Sequence, residues 1–266
     1  MNSNARYLVI VAIVSAVLLF GNWAPAQTCP ELLGRWPYGP ATAVAVDGNT
    51  AYVGSGTVLL VLDVSVPASP SFLGEVVLPD VVRGVVVEGD YAYVAAGGSG
   101  LRVVSVTVPT APVEVGDIDT PDFANDVVVD SNYAYVADGY SGLRVISVAD
   151  PASPSEEGSI DTAGYARSVA VDGNLVYVAD SNTGLAIISV ANPALPSGEG
   201  SLDTPGYASD VTVVGDIAYV ADGTSGLRLI SVANPAMPSE LGFFDVLFKA
   251  EGVALEGNLA LGVCTA

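Results

Sequence analysis

A repeat of about 42 residues runs through the sequence and constrains the fold more than any other feature. A tyrosine within an Ala-Tyr-Val or Val-Tyr-Val segment returns at steps of 41, 42, 42 and 42 residues. The second proline of a Pro-x-x-Pro turn and a Gly-Leu pair return in the same register. A unit repeated at a fixed period folds as an array of equal structural units. The three columns are Tyr52, Tyr93, Tyr135, Tyr177 and Tyr219; Pro70, Pro112, Pro154, Pro196 and Pro238; and Gly100, Gly142, Gly184 and Gly226.

Each repeat contains four short segments with the features of β-strands. One complete copy has them at 168–172, 175–179, 185–190 and 197–202. They contain many valines and isoleucines, which suit half-buried strands, and the Asp-Gly-Asn sequence at 172–174 favours a tight hairpin turn. Beyond residue 26 there is no convincing helical period. These features predict an all-β fold, a β-propeller of four-stranded antiparallel blades with about six 42-residue repeats.

The last repeat is expected to be incomplete. The first strand of the unit occurs six times, near residues 43, 84, 126, 168, 210 and 252, whereas the third strand occurs five times. The segment 31–36 resembles a fourth strand and could complete the sixth blade. Two explanations stay open: a six-bladed ring with one deficient blade, or a truncated sequence. We favour truncation because a missing strand leaves unpaired edges.

Two segments of the third repeat unit carry a resemblance to a known family. They are Leu-Arg-Val-Ile-Ser-Val-Ala-Asp-Pro-Ala-Ser-Pro at 143–154 and Ala-Tyr-Val-Ala-Asp-Gly at 134–139. Together they resemble the LVIVD-repeat β-propellers, a family of exported bacterial proteins, over 29–266. Asp63 keeps the family's aspartate, and later units replace it. The resemblance implies a propeller at the cell surface or outside the cell, and it transfers no catalytic residue. The residues that stand in place of this aspartate in the later units are Ser105, Ser147, Ser189 and Ser231.

The first 26 residues have the composition of a signal peptide. Arg6 precedes an almost wholly apolar run at 7–20, and Ala24-Pro25-Ala26 fits a small-residue cleavage site. The apolar run is short for a bilayer span, although an uncleaved anchor stays open. We therefore expect a signal peptide at 1–26 and a repeat domain at 27–266 that is secreted, periplasmic or at the cell surface.

The two cysteines lie at opposite ends of the repeat domain. Outside the cell, Cys29 and Cys264 could form a disulfide that joins the termini, or they could stay unpaired. Their separation and the lack of histidine argue against a structural zinc site.

The charge and residue composition exclude several functions. A net charge of −21 argues against binding nucleic acid or anionic lipid. The chain has no histidine, which excludes Ser-His-Asp and Cys-His catalysis. A carboxylate pair could still act as in a carbohydrate-active hydrolase or lyase. We nevertheless expect a protein that is not an enzyme.

Three aspartates in Gly-containing turns raise the question of calcium. Asp138, Asp180 and Asp222 each come before the turn between the second and third strands of a unit. Oxygen ligands suit Ca²⁺, so a calcium-stabilised module is one alternative. The turns lack the alternating acids of an EF-hand loop, and an aspartate that bonds turn backbone is the simpler explanation.

The loops between units contain the candidate binding residues. Propeller loops of this type gather on one face, and here they contain a column of aromatic residues followed by a polar column. One interpretation is a ligand-binding face, because aromatic rings and charged groups suit a glycan or a protein. The other is that the rings wedge between blades. The candidates are Arg83, Phe123, Tyr165, Arg167, Tyr207, Lys249 and Glu251. The sequence thus predicts a scaffold for a protein or glycan partner at the cell envelope.

Overall fold

The computed structural model describes backbone at residues 9–14, 41–246, 249–256 and 259–265, and side chains at 41–246 and 249–255. Its strands form five four-stranded antiparallel sheets and a sixth of three strands. The first sheet contains β2 (Ala43–Asp47), β3 (Thr50–Ser55), β4 (Val58–Asp63) and β5 (Ser71–Val77). The second contains β6 (Gly84–Glu88), β7 (Tyr91–Ala95), β8 (Leu101–Ser105) and β9 (Val113–Ile118). The third contains β10 (Ala124–Asp130), β11 (Tyr133–Asp138), β12 (Leu143–Ser147) and β13 (Ser155–Ile160).

The fourth and fifth sheets repeat this order, and the sixth has a strand from the start of the chain. The fourth contains β14 (Ser168–Asp172), β15 (Leu175–Ala179), β16 (Leu185–Ser189) and β17 (Ser197–Leu202). The fifth contains β18 (Asp210–Val214), β19 (Ile217–Ala221), β20 (Leu227–Ser231) and β21 (Ser239–Phe244). In the sixth, β22 (Lys249–Glu256) pairs with β23 (Leu259–Thr265), which pairs with β1 (Val9–Val14).

Successive sheets pack face to face and bury the apolar residues of both. Tyr135 and Leu143 of the third sheet, for example, share a core with Val169, Val176 and Ile188 of the fourth. The first strands of neighbouring sheets also lie side by side, from β2 through to β22. This is the arrangement of propeller blades around an axis, so the predicted all-β propeller is confirmed.

Polar side chains join the innermost strands across the blade interfaces. Asp126 of β10 accepts a hydrogen bond from the Val169 amide of β14 at 3.1 Å, and Asp210 of β18 accepts one from the Val253 amide of β22 at 2.8 Å. Between them, the Ser168 hydroxyl donates to Asp210 at 2.6 Å. Each bond reaches the next repeat, so these residues set the spacing of adjacent blades.

The sixth sheet differs from the expectation of a missing third strand. β1, from the segment predicted to be a signal peptide, lies in the third-strand position beside β23. The segment 31–36, expected to add a fourth strand, lies outside the described residues, as do Cys29 and the side chain of Cys264. The signal peptide and the disulfide stay predictions. Within the described parts of the chain, no helix is long and apolar enough to span a membrane.

Candidate functional site

The loops that contain the candidate residues meet the turns of the preceding blades. Isolated β-bridges join Gly97 to Ala124, Gly139 to Ala166, Ser181 to Ala208 and Gly223 to Ala250. Each bridge connects the turn between the second and third strands of one sheet with the loop that enters the next sheet. Both sets of loops therefore form one surface, as expected for this end of a propeller.

On this surface, Arg83 and Phe123 lie together at the interface of the second and third sheets. The guanidinium carbon of Arg83 is 5.4 Å from the centre of the Phe123 ring, a cation–π arrangement. Arg83 Nη1 also donates a hydrogen bond to Asn125 Oδ1 at 3.4 Å. Asn125 donates in turn to the carbonyl of Ala166 at 2.9 Å, so this network of contacts continues into the loop that enters the fourth sheet.

The same surface continues through Tyr165, Tyr140 and Arg167. The hydroxyl of Tyr165 donates to Asn125 Oδ1 at 3.5 Å, and its ring meets that of Tyr140 edge to face at a centroid distance of 4.9 Å. The guanidinium of Arg167 lies over the Tyr165 ring at 5.9 Å. Tyr140 is 76% exposed and Phe123 is 45% exposed. These rings are presented to solvent, and we call the five residues the aromatic–arginine face: Arg83, Phe123, Tyr140, Tyr165 and Arg167.

The structure thus brings four of the seven sequence candidates together and adds Tyr140 and Asn125. Tyr207 lies in the next loop along and is 63% exposed. Lys249 and Glu251 are exposed at the start of β22. Tyr140 was missed, although its column offered a signal: the equivalent positions hold Gly98, Asn182 and Thr224, so tyrosine occurs here in one unit alone among the four.

The turn aspartates connect the two sets of loops. Asp138 accepts hydrogen bonds from the Thr120 hydroxyl at 2.6 Å and the Asp122 amide at 3.2 Å. Asp222 does the same with Thr204 at 2.6 Å and the Gly206 amide at 2.9 Å. Both carboxylates are fully buried. Their partners lie in the preceding inter-blade loop rather than in the aspartates' own turn, so the expected bonds to turn backbone are replaced by longer-range ones.

Buried arginines beside these aspartates were not identified from the sequence. Arg144 Nε lies 3.4 Å from Asp138 and its Nη1 lies 3.5 Å from Glu156. Arg228 repeats this contact with Asp222 at 3.5 Å and with Glu240 at 3.6 Å. Burial raises the pKa of Asp222, and its hydrogen bonds and the Arg228 charge oppose that rise. An arginine is the cation that can meet two carboxylates through a planar fork.

Asp126 and Asp210 are two buried carboxyl groups that influence each other. Burial, followed by repulsion from Asp210, raises the pKa of Asp126 to about 7. Burial also raises the pKa of Asp210. However, both side chains are occupied by backbone amides: Val127 and Val169 donate to Asp126, and Val211 donates to Asp210. These contacts favour a structural role over general acid–base chemistry.

Metal ligation has little support in the described residues. Within residues 41–246 and 249–255, no three cysteine, aspartate or glutamate side chains are grouped so that they could hold a metal ion. Asp138 and Asp222 instead meet hydroxyls, amides and arginines, which leaves their oxygens occupied.

Solved structures with the same fold are β-propellers of low sequence identity. The propeller domain of Cps50 (Swd1) from Myceliophteria thermophila has a TM-score of 0.72 at 11% identity, covering 88% of this chain and 82% of that one. A protein from Lactobacillus plantarum has a TM-score of 0.72 at 14% identity, covering 82% and 74%. The WD40 repeats of RRP9 give 0.65 at 12%, covering 84% and 79%. A comparison with curated protein sequences gave no match.

These similarities and the sheet topology define the molecule as a β-propeller. The LVIVD-repeat model matches five consecutive segments, at 38–77, 81–120, 123–162, 163–204 and 205–246. The chain therefore belongs to the LVIVD-repeat family, which confirms the resemblance seen in its sequence.

Proposed function

We propose that this propeller is an exported scaffold, without enzymatic activity, that binds a protein partner through its aromatic–arginine face. The observation that carries the proposal is the solvent exposure of aromatic rings beside arginines: Tyr140 is 76% exposed although it contacts Tyr165. Tyrosine and arginine are the residue types that dominate the energetics of protein interfaces. Large rings fixed by neighbours lose little side-chain entropy on binding, which favours such positions as anchors.

We propose a protein without enzymatic activity because its buried aspartates already accept hydrogen bonds from the backbone. Asp126 and Asp210 accept hydrogen bonds from backbone amides of their own and the following blade. A general acid or base needs a free oxygen within reach of its substrate. These two carboxylates therefore support the blade contacts better than they support glycoside hydrolysis.

A site-specific photo-crosslinker tests the binding face. The crosslinking side chain is placed at Tyr140 on the face, and in a control variant at Leu195, which is 74% exposed in the Pro-x-x-Pro turn of the fourth unit. On intact source cells, we expect a discrete crosslinked protein from position 140 and none from position 195. The same product from both positions, or none from position 140, contradicts the assigned face.

A glycan array separates the protein partner from a glycan partner. Selective binding to one saccharide class that the Tyr165→Ala variant loses would replace the proposed protein partner with a glycan. New reducing ends from a polysaccharide panel would instead support the hydrolase alternative and contradict a non-enzymatic scaffold.

The export part of the proposal has its own measurement. If the leader is removed where the small residues indicate, the amino terminus of the mature protein is Gln27, and β1 is removed together with the leader. Intact-mass analysis of the protein from the culture medium and envelope fractions checks this. Recovery of the whole chain in the cytoplasm, with Met1 retained, contradicts export.

A further inference from the structure

The fourth sheet lacks an arginine–glutamate pair that its neighbours contain. The column that holds Arg102, Arg144 and Arg228 has Ala186 in the fourth unit, and the column that holds Glu114, Glu156 and Glu240 has Gly198. In the other sheets each arginine meets its glutamate, at 3.6, 3.5 and 3.6 Å. The first sheet has Leu60 and Phe72 at the two positions, an apolar pair in place of the ionic one.

A cavity lies where the missing side chains would be. It has a volume of about 340 Å³, many times that of one water, and its lining includes Asp161, Asp180, Thr183, Ala186, Gly198 and Glu199. The lining contains three carboxylates and no lysine or arginine. The cavity is therefore an acidic site beside two small residues on neighbouring strands, Ala186 of β16, which pairs with Ser201, and Gly198 of β17, which pairs with Ile188.

The buried acid of the neighbouring sheets is retained at this cavity. Asp180 is 1% exposed, and its equivalents Asp138 and Asp222 are 0% exposed, so all three are buried. Those two meet the guanidinium of Arg144 and Arg228, at 3.4 and 3.5 Å. Asp180 accepts hydrogen bonds from the Thr162 hydroxyl at 2.7 Å, the Gly164 amide at 2.7 Å and the Thr183 hydroxyl at 2.6 Å, and no cation of its own unit lies at the arginine position.

From these contacts we infer that the cavity binds the guanidinium group of an arginine side chain supplied by a protein partner. The two neighbouring sheets show the complementary group: where this aspartate occurs with a cation, the cation is an arginine. Asp161 also lines the cavity. A guanidinium in the cavity can therefore meet Asp180 and has further carboxylates, those of Asp161 and Glu199, in the same lining. The net charge of −21 also attracts a cationic partner.

The inference goes beyond the proposed face but shares a loop with it. The loop 161–168 contributes Asp161 to the cavity and Tyr165 and Arg167 to the face. The cavity can nevertheless be tested without the partner, so failure of one proposal is distinguishable from failure of the other.

Blocked arginine, acetyl-arginine amide, is the probe for the cavity. In calorimetry or NMR titration of the full chain, we expect one site with a dissociation constant on the order of millimolar. Acetyl-citrulline amide has nearly the same shape without the charge and should bind at least about tenfold more weakly. Nα-acetyl-lysine amide, whose charged ammonium group lacks the planar fork of a guanidinium, should also bind more weakly. Equal affinity for the three compounds, or no binding of blocked arginine, overturns the inference.

Two pairs of substitutions locate the site. Ala186→Arg with Gly198→Glu rebuilds the ion pair of the neighbouring sheets. No atom of the described part of the chain lies within 4 Å of a Cβ at Gly198, so the added side chain has room. This variant should lose blocked-arginine binding while its melting temperature holds or rises. Arg144→Ala with Glu156→Gly should create a second site in the third sheet and raise the stoichiometry from one to two. Unchanged binding in the first variant overturns the inference even if the second fails to fold.

Discussion

At the residue scale, the blade contacts depend on buried acids whose protonation should affect stability. Asp126 of β10 accepts a hydrogen bond from β14, and burial together with Asp210 raises its pKa to about 7. In the unfolded chain an aspartate titrates near 3.9. The folded protein therefore holds this proton more tightly, so the stabilisation is complete below about pH 4 and is lost as the pH rises towards 7.

Asp126→Asn should remove this pH dependence, because the variant has no carboxyl group to titrate. The NH2 group of Asn cannot accept the hydrogen bond of one of the two amides that now donate to Asp126, so we expect the variant to be less stable than the wild type by on the order of 2 kcal/mol in unfolding free energy at pH 5, with a smaller deficit at pH 8. Urea unfolding at the two pH values measures it. Glu157→Gln, at an exposed position, is the control. A variant less stable than wild type at pH 8 by the same amount as at pH 5 would contradict the raised pKa of Asp126.

The residue scale is also where sequence interpretation missed most. The arginine column follows a buried leucine in each unit, as in Leu143-Arg144, and strand alternation places such a residue on the opposite face. In a propeller blade both faces are covered, so Arg144 is buried too. Its partners, Asp138 and Glu156, lie 6 and 12 positions away, and nothing in a single unit shows that they meet. A comparison of the columns would have shown that Ala186 and Gly198 depart from their columns in the same unit.

At the element scale, the sequence allowed accurate prediction because local and tertiary patterns agree. The predicted strands at 168–172, 175–179 and 197–202 have the observed bounds, and 185–190 is one residue longer than β16. The Asp-Gly-Asn turn places Gly173 at a φ of +57°, which glycine adopts without a Cβ clash. The origin of the strand in the third position of the last sheet was not predictable, since its pairing with β23 crosses almost the whole chain.

A glycine in the last strand of each of the first four sheets lets the next blade approach. A Cβ on Gly200 would collide with the carbonyl oxygen of Pro235 in the following Pro-x-x-Pro turn, whereas no atom of the residues that the structure describes lies within 4 Å of a Cβ on its equivalent Gly242. Gly200→Ala should therefore cost about 1–3 kcal/mol of unfolding free energy, and Gly242→Ala less than about 0.5 kcal/mol. Denaturant midpoints of the two variants measure the difference. Equal effects would contradict this blade packing.

At the scale of the whole molecule, fold and site differ in how far the sequence reveals them. The repeat fixes the propeller because a tyrosine and a proline column run through five units and a glycine column runs through four in the same register. The binding face arises instead from contacts between units, such as Tyr140 with Tyr165 and Arg83 with Phe123. Such contacts depend on blade orientation, which the repeat pattern alone does not specify. The acidic surface and the exposed rings together favour a partner with basic and apolar groups.

The most direct test of the binding face is the affinity of the labelled protein for source cells that lack their own copy. Two variants are compared with the wild type. Tyr140→Ala with Tyr165→Ala alters the face, and Leu195→Ala with Met237→Ala alters two apolar side chains that are each 74% exposed in Pro-x-x-Pro turns. Melting temperatures verify that both variants fold.

We expect the tyrosine variant to bind the cells at least about tenfold more weakly than the wild type, since interface anchors of this kind contribute about 2 kcal/mol or more each. The Leu195/Met237 variant should bind as the wild type does. Wild-type affinity in the tyrosine variant, or an equal loss in both variants, would contradict the claim that the aromatic–arginine face binds the partner.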